Sequence, residues 1–186
     1  ETVAIVEQQF GKDIVLKPIA AGSALGVHIL RGGQDAEPIL SQELKNGPLL
    51  VEPFILGREI TASVLEKSGK PIALPIIEIK TKYEEWYDFK NRYTPGKSEH
   101  IVPANLDENI SEQIKEIALK AHTGLGLRDL SRSDFILSDS HDIFLLETNT
   151  LPGFTKTSLY PDSARSYGMS FVELVGHLIE AALARR

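Results

Sequence analysis

No cysteine occurs among the 186 residues, which excludes a disulfide framework, a thiolate zinc site and a thiol nucleophile, and makes a cytoplasmic origin the default expectation. Positive charge is in deficit. Twenty Lys and Arg face 26 Asp and Glu, a formal charge of −6; such a surface repels a phosphate backbone, so no nucleic-acid partner is expected, while carboxylates are available to hold cations. Long apolar runs are also missing, and without ~18 consecutive apolar residues no membrane span is expected. No basic segment followed by an apolar one opens the chain, so no export signal is expected, and a first residue of Glu1 reads as a fragment. The five histidines, His28, His100, His122, His141 and His177, lack metal-ligand spacing, and no Gly-x-Ser-x-Gly elbow is present. What remains is 42% apolar and 25% charged residues, the balance of an ordinary globular body or two small lobes.

Val3, Val6 and Phe10 share one helical face that Gly11 can end. Ile14 to Lys17 and Gly26 to Leu30 read as a strand hairpin, and Gly32 to Gly47 as loop with one helical turn around Ser41 to Lys45. Leu49 to Phe54 is apolar again, and a lobe boundary near Gly57 divides residues 1–56 from 57–186. Arg58 to Glu66 and Pro71 to Lys80 read as two antiparallel strands about Gly69. Residues 81–104 show no periodicity and hold Trp86, three Tyr, Pro95 and Gly96; a loop of that length suggests function. Ile110, Ile114, Ile117 and Ala121 predict a helix ending at Gly124, and Phe135 to Ser138 with Ile143 to Glu147 a hairpin over Asp139-Ser140-His141-Asp142. Ser170 and Glu173 form a capping box for a last helix with Phe171, Val175, Leu178 and Ala182 as its buried stripe.

Chemistry concentrates on the second hairpin. Asp134 opens one strand, and Glu147 and Asn149, two apart, share one face of its partner. Two carboxylates and an amide oxygen are hard ligands that suit Mg²⁺, whose remaining positions go to water and phosphate. Arg132, two residues before Asp134, points to the same side and offers a cation to a phosphoryl group or an oxyanion. Solvated charge at strand ends explains the same residues. A second feature is Lys17-Pro18-Ile19-Ala20-Ala21-Gly22-Ser23-Ala24-Leu25-Gly26, a strand-end Lys before a small-residue loop whose backbone can approach phosphates. It is no Walker A motif, and a plain hairpin turn accounts for its glycines. Glu52 and Glu59 flank the apolar Phe54 and Ile55, so that Glu52 can accept from an exocyclic amine and Glu59 from ribose hydroxyls; an ordinary strand with surface acids fits equally well.

In order along the chain, Lys17 to Gly26, Glu52 to Glu59, Tyr87 to Tyr93, Arg132-Ser133-Asp134 and Leu146-Glu147-Thr148-Asn149-Thr150-Leu151-Pro152-Gly153-Phe154-Thr155, followed by Ser158-Leu159, resemble the D-alanine:D-alanine ligases of the ATP-grasp superfamily. The resemblance implies an α+β ATP-grasp fold, with two antiparallel sheets in two lobes, flanking helices and ATP between the sheets, and a preceding substrate domain absent. By that resemblance Lys17 holds phosphates, and Glu52, Phe54, Ile55 and Glu59 hold the adenosine. Asp134, Glu147 and Asn149 bind two Mg²⁺, with Mn²⁺ as a substitute. Arg132 and the Gly153 N–H stabilise a tetrahedral intermediate, Ser158 and Leu159 place the second D-alanine, and Ser23 and Tyr93 link the Gly-rich loop to the mobile loop. Arg92 stands where the family usually has Lys, keeping the charge and changing the donor geometry. The implied reaction is ATP-dependent formation of D-alanyl-D-alanine through an acylphosphate, for peptidoglycan precursors, by a cytoplasmic enzyme whose family commonly forms homodimers. Two alternatives stand beside it: a nucleotide-binding module without turnover, and a ligase for another amine or hydroxy acid.

Overall fold

The structure is a computed structural model that describes residues 2–22, 24–32, 34–81 and 98–185. It divides into two compact units, the first carrying the residues up to Ile55 and the second comprising Leu56–Lys80 and Glu99–Arg186. Among the described residues no helix is long and apolar enough to cross a membrane.

The first unit is a three-stranded antiparallel sheet in the order β2-β1-β3, formed by β1 (Ile14–Pro18), β2 (His28–Leu30) and β3 (Leu49–Pro53), with helices α1 (Thr2–Phe10) and α2 (Glu37–Glu43). Period-two alternation along β1 turns Ile14 and Leu16 inward, where they meet Val6, Leu30, Ala36 and Leu40. Gly11 ends α1 at φ 82°, and its N–H is donated to the Glu7 carbonyl. The expected single turn near Ser41 is a seven-residue helix that starts earlier, because Pro38 sits at its first turn, where a missing N–H costs nothing.

The second unit is built on a six-stranded sheet. β7 (Ser98–Ile101), β6 (Ile77–Thr81), β4 (Gly57–Lys67), β8 (Leu130–Ser138) and β9 (Ile143–Asn149) follow one another across it, and β5 (Lys70–Ala73) also pairs with β4. The pairings of β4 with β5, β6 and β8, and of β8 with β9, are antiparallel. Ser68 and Gly69, both at positive φ, make the β4–β5 turn. The expected single strand from Pro71 to Lys80 is two strands, interrupted at Leu74-Pro75-Ile76, where Pro75 has no N–H to give a ladder. Within the region read as loop, Ser98–Ile101 is a strand. Helix α3 (Glu108–Gly124) covers one face of the sheet: Ile110, Ile114 and Ala118 pack on Ile60, Ala62, Val64, Phe135 and Leu137. The positive-φ glycine that follows it is Gly126 rather than Gly124.

The residues that alternate with these on β4 and β8 face the other way. At one end of that second face Leu65 and Leu130 lie under α4 (Leu159–Ser166) and α5 (Phe171–Leu183), packed on Tyr160, Ala164 and Leu174. Burial of each such large side chain is worth about 1.5–3 kcal/mol. The capping box of Ser170 and Glu173 is present, and Phe171, Val175 and Leu178 of the expected stripe are half-buried, but Leu174, outside that stripe, is the fully buried residue of α5, and Ala182 is exposed. The rest of the second face sets apolar Ile77, Ile79 and Ile136 beside polar Glu59, Thr61, Arg132 and Asp134, and it carries the candidate site.

Candidate functional site

On the first unit, Lys17 leaves the end of β1 outward and forms an ion pair with Glu52 of β3. The register sets Val15 opposite Glu52 and Lys17 opposite Leu50, so the pair is a diagonal one on the same face of the sheet. The small-residue loop after Pro18 joins β1 to β2. A Cβ on Gly26 would come within 2.9 Å of the Pro18 ring, and its φ of 71° is one that other residues rarely adopt. Phe54 stacks under the Arg31 guanidinium, 4.7 Å from the ring centre, and Ile55 is half-buried. Ser23, Arg92 and Tyr93 lie outside the described residues.

On the second unit the paired strands bring the expected residues together. Asp134 lies opposite Glu147, Arg132 opposite Asn149, and a bulge between Asp134 and Phe135 keeps these pairs aligned on one face. Arg132 grips Asp134 with a two-pronged fork, Nε to Oδ1 at 2.8 Å and an Nη to Oδ2 at 2.7 Å. Asp134 Oδ1 also accepts from the Thr61 hydroxyl at 2.7 Å, and Oδ2 from Asn149 Nδ2 at 3.1 Å. A carboxylate has about four lone-pair sites, so these four donors fill it. Asn149 Nδ2 also donates to Glu147 Oε1 at 3.2 Å and thereby bridges the two carboxylates. Glu147 is exposed, whereas only 7% of the Arg132 side chain is. Thr61 carried no sequence signal, being 73 residues from Asp134; the antiparallel pairing of β4 with β8 sets the two opposite each other. Glu59 lies on the same face of β4, opposite Ile136.

This donor set fits a hard divalent cation. Among the described residues no three or more His, Cys, Asp or Glu side chains converge as metal ligands, and here the ligands are two carboxylates and one amide, which leave room for water and phosphate oxygens. With its Nδ2 between the carboxylates, Asn149 must turn its amide to present oxygen, and Asp134 must exchange one of its four donors.

After β9 the chain crosses Leu151-Pro152-Gly153 and enters a tight turn. Ser158 Oγ accepts from the Thr155 N–H at 3.0 Å and lies 2.8 Å from Thr155 Oγ1. A Cβ on Gly153 would press on that Oγ at 3.2 Å, so the residue's smallness keeps the turn closed. Ser158 is the N-cap of α4, and Leu159 is buried, so only its main chain is free to meet a substrate. Phe154 anchors the turn against the rings of Tyr160 and Phe171, 5.9 and 5.7 Å away. Tyr160 donates to the Val64 carbonyl at 2.9 Å; burial first, and then Asp129, pushes its phenol well above the usual range.

The match to a family model, described as the D-ala D-ala ligase C-terminus, spans residues 1–180. A D-alanine--D-alanine ligase of Desulforamulus reducens is 44% identical over 177 residues, 95% of this chain and 56% of the relative, and one of Desulforudis audaxviator is 39% identical over the whole chain and 60% of the relative. Among solved structures, D-alanyl-alanine synthetase A of Vibrio cholerae superposes with a TM-score of 0.85 at 26% identity, covering 98% of this chain and 56% of that one. The D-alanine--D-alanine ligase of Bacillus anthracis complexed with ATP gives 0.76 at 28% identity, covering 95% and 54%. The chain thus spans somewhat more than half the length of these relatives. Its mixed helices and antiparallel sheets are those of the ATP-grasp portion of such enzymes, and the chain belongs to the D-alanine–D-alanine ligase family, matching its C-terminal part.

Proposed function

We propose that the protein joins two D-alanines to D-alanyl-D-alanine at the expense of ATP, supplying a peptidoglycan precursor in the cytoplasm. The observation that carries this reading is the convergence of Arg132, Asp134, Glu147 and Asn149 on one sheet face, beside the Gly153–Ser158 turn. A carboxylate is a poor electrophile. Transfer of the ATP γ-phosphoryl to the first D-alanine's carboxylate makes an acylphosphate; the amine of the second attacks its carbonyl, the C–O bond to phosphate breaks, and phosphate leaves as the amide forms.

Lys17 supplies an ammonium to the nucleotide phosphates, and Glu52, now its ion-pair partner, accepts from the adenine amine; Phe54, Ile55 and Glu59 complete the adenosine contacts. Asp134, Glu147 and Asn149 hold one or two Mg²⁺ or Mn²⁺ ions, which when bound neutralise charge on the transferring phosphoryl group. The Arg132 guanidinium, held by its fork with Asp134, takes the part of a cation for the oxyanion of the tetrahedral intermediate, with the Gly153 N–H as second donor. Ser158 Oγ and the Leu159 N–H receive the second D-alanine's carboxylate at the start of α4. Ser23, Arg92 and Tyr93 keep their proposed parts in loop closure and γ-phosphate binding, and the family habit of homodimers is extended to this protein.

The test is phosphate release from ATP with and without D-alanine, with dipeptide detected directly, on the full product of the gene. D-alanine-dependent release that vanishes in Asp134→Ala and Glu147→Ala supports the reading; normal turnover in either variant overturns the metal assignment. A second acceptor is favoured by one neighbour: the VanG D-Ala:D-Ser ligase of Enterococcus faecalis superposes with a TM-score of 0.78 at 27% identity, covering 96% of this chain and 52% of that one. D-serine and D-lactate offered in place of the second D-alanine decide between them.

A further inference from the structure

Outside the residues given roles above, one polar network reaches the substrate turn from behind. Arg165, in the last turn of α4, donates from one Nη to Asp162 Oδ1 at 2.7 Å and from the other to the Lys156 carbonyl at 2.9 Å. His100 of β7 meets the second oxygen of the same carboxylate, Nδ1 to Oδ2 at 2.8 Å. Lys156 lies between Thr155 and Ser158, whose side chains close the turn from within, so the turn is held on both sides: by hydroxyls inside and by the Arg165 fork outside. The Arg165 side chain is 56% exposed, and an exposed ion pair contributes little to stability. The fork's geometry is the informative part, because one planar guanidinium spans a carboxylate and a main-chain carbonyl nine residues away.

We infer that Arg165 and Asp162 are positioning residues for the acceptor substrate. They fix the Lys156 peptide, and through it the Gly153 to Ser158 turn that receives the acceptor's carboxylate, while His100 orients Asp162. The inference rests on the ligase reading for its substrate and on the Arg165 geometry alone for the anchoring. A small displacement of a binding turn is felt in the encounter with the acceptor and leaves nucleotide binding untouched.

The experiment pairs steady-state kinetics with amide hydrogen exchange on Arg165→Met, Arg165→Lys and Asp162→Asn. Arg165→Met is expected to raise KM for the second D-alanine by roughly tenfold, with KM for ATP unchanged and the thermal midpoint within about 2 °C of the parent. The amides of residues 154–158 are expected to exchange faster. Arg165→Lys, which keeps charge but cannot fork, shifts both readouts in the same direction by less. Unchanged exchange in the turn, or equal rises in both KM values, overturns the inference. Faster exchange in a protein whose unaltered form makes no dipeptide sinks the ligase reading and leaves the anchoring standing.

Discussion

Two guanidinium–carboxylate forks sit on the six-stranded sheet, on opposite faces. On the face covered by α3, Arg58 of β4 holds Glu78 of β6 at 2.9 and 2.7 Å and adds a bond to the Asn105 carbonyl at 2.7 Å. The Glu78 carboxyl is held below the usual carboxylate range, first by hydrogen bonding to Arg58, and the Arg58 guanidinium is pushed up by the same bond. On the other face, Arg132 holds Asp134 with the same two-pronged geometry, but there Thr61 and Asn149 crowd the same carboxylate and Glu147 lies exposed beside it. The first fork ties neighbouring strands and a loop together. The second gathers two acids, an amide and a cation where nothing in the packing of the strands requires them, which is how a site differs from a brace built of the same parts.

Variants that break the two forks separately should therefore differ in turnover more than in stability. Asp134→Ala is expected to cut D-alanine-dependent turnover per folded molecule by a hundredfold or more, about 2.7 kcal/mol of transition-state stabilisation, and to lose at least as much urea stability as Glu78→Ala, because the more enclosed Arg132 is left without its fork. Glu78→Ala is expected to keep turnover per folded molecule and to lose about 1–3 kcal/mol in urea unfolding, since a charge-assisted pair goes and Arg58 loses its partner. Similar effects of both variants on turnover would erase the distinction.

Asn149→Asp sharpens the comparison without breaking either fork. It replaces the bridging donor with a third carboxylate, so repulsion among Asp134, Glu147 and residue 149 should lower the thermal midpoint in EDTA, and Mn²⁺ should restore it. At Mn²⁺ a hundredfold above its dissociation constant the recovery should be roughly 5–10 °C. The parent protein, whose Asp134 carboxylate is already satisfied by internal donors, should respond less; an equal response in both would show that Asn149 does not occupy the cation's place.

Acid probes the Arg58–Glu78 fork directly. Because the Glu78 carboxyl is lowered in the folded state, its contribution to stability is present above its ordinary value of 4.5 and is lost as pH falls through the lowered one. The parent should therefore lose stability below about pH 4.5 more steeply than Glu78→Gln, read from urea midpoints at successive pH values. Parallel curves would remove Glu78 from the account.

The contrast between the forks also marks what was legible in the sequence. Arg132 and Asp134 are two apart on one strand, and Glu147 and Asn149 two apart on the next, so period-two alternation and a short turn sufficed to bring them together. The Arg58–Glu78 brace falls within the expected antiparallel pairing of Arg58–Glu66 with Pro71–Lys80, whereas Thr61 depends on β4 and β8 becoming neighbours across the sheet, which no local window shows. Helix α4 went unread because Pro161 stands in its first turn and because only Leu159, Tyr160 and Ala164 mark its apolar face. The expected stripe of α5 omits Leu174, because Phe171, Leu174, Val175 and Leu178 form two overlapping apolar faces, and Leu174 is the one that packs with Tyr160 in the core.

A third ion pair gives the comparison its zero. Lys120 and Glu116 are four residues apart on α3, 2.9 Å between charges, with 72% and 64% of their side chains exposed. Water screens that attraction, and ordering two long side chains offsets much of what remains, so Lys120→Ala should change urea stability by no more than about 0.5 kcal/mol. Neither turnover nor the Mn²⁺ response should move. A loss as large as that of Glu78→Ala would mean that enclosure is not what separates a bracing pair from a decorative one, and the forks on the two faces would then have to be ranked by geometry alone.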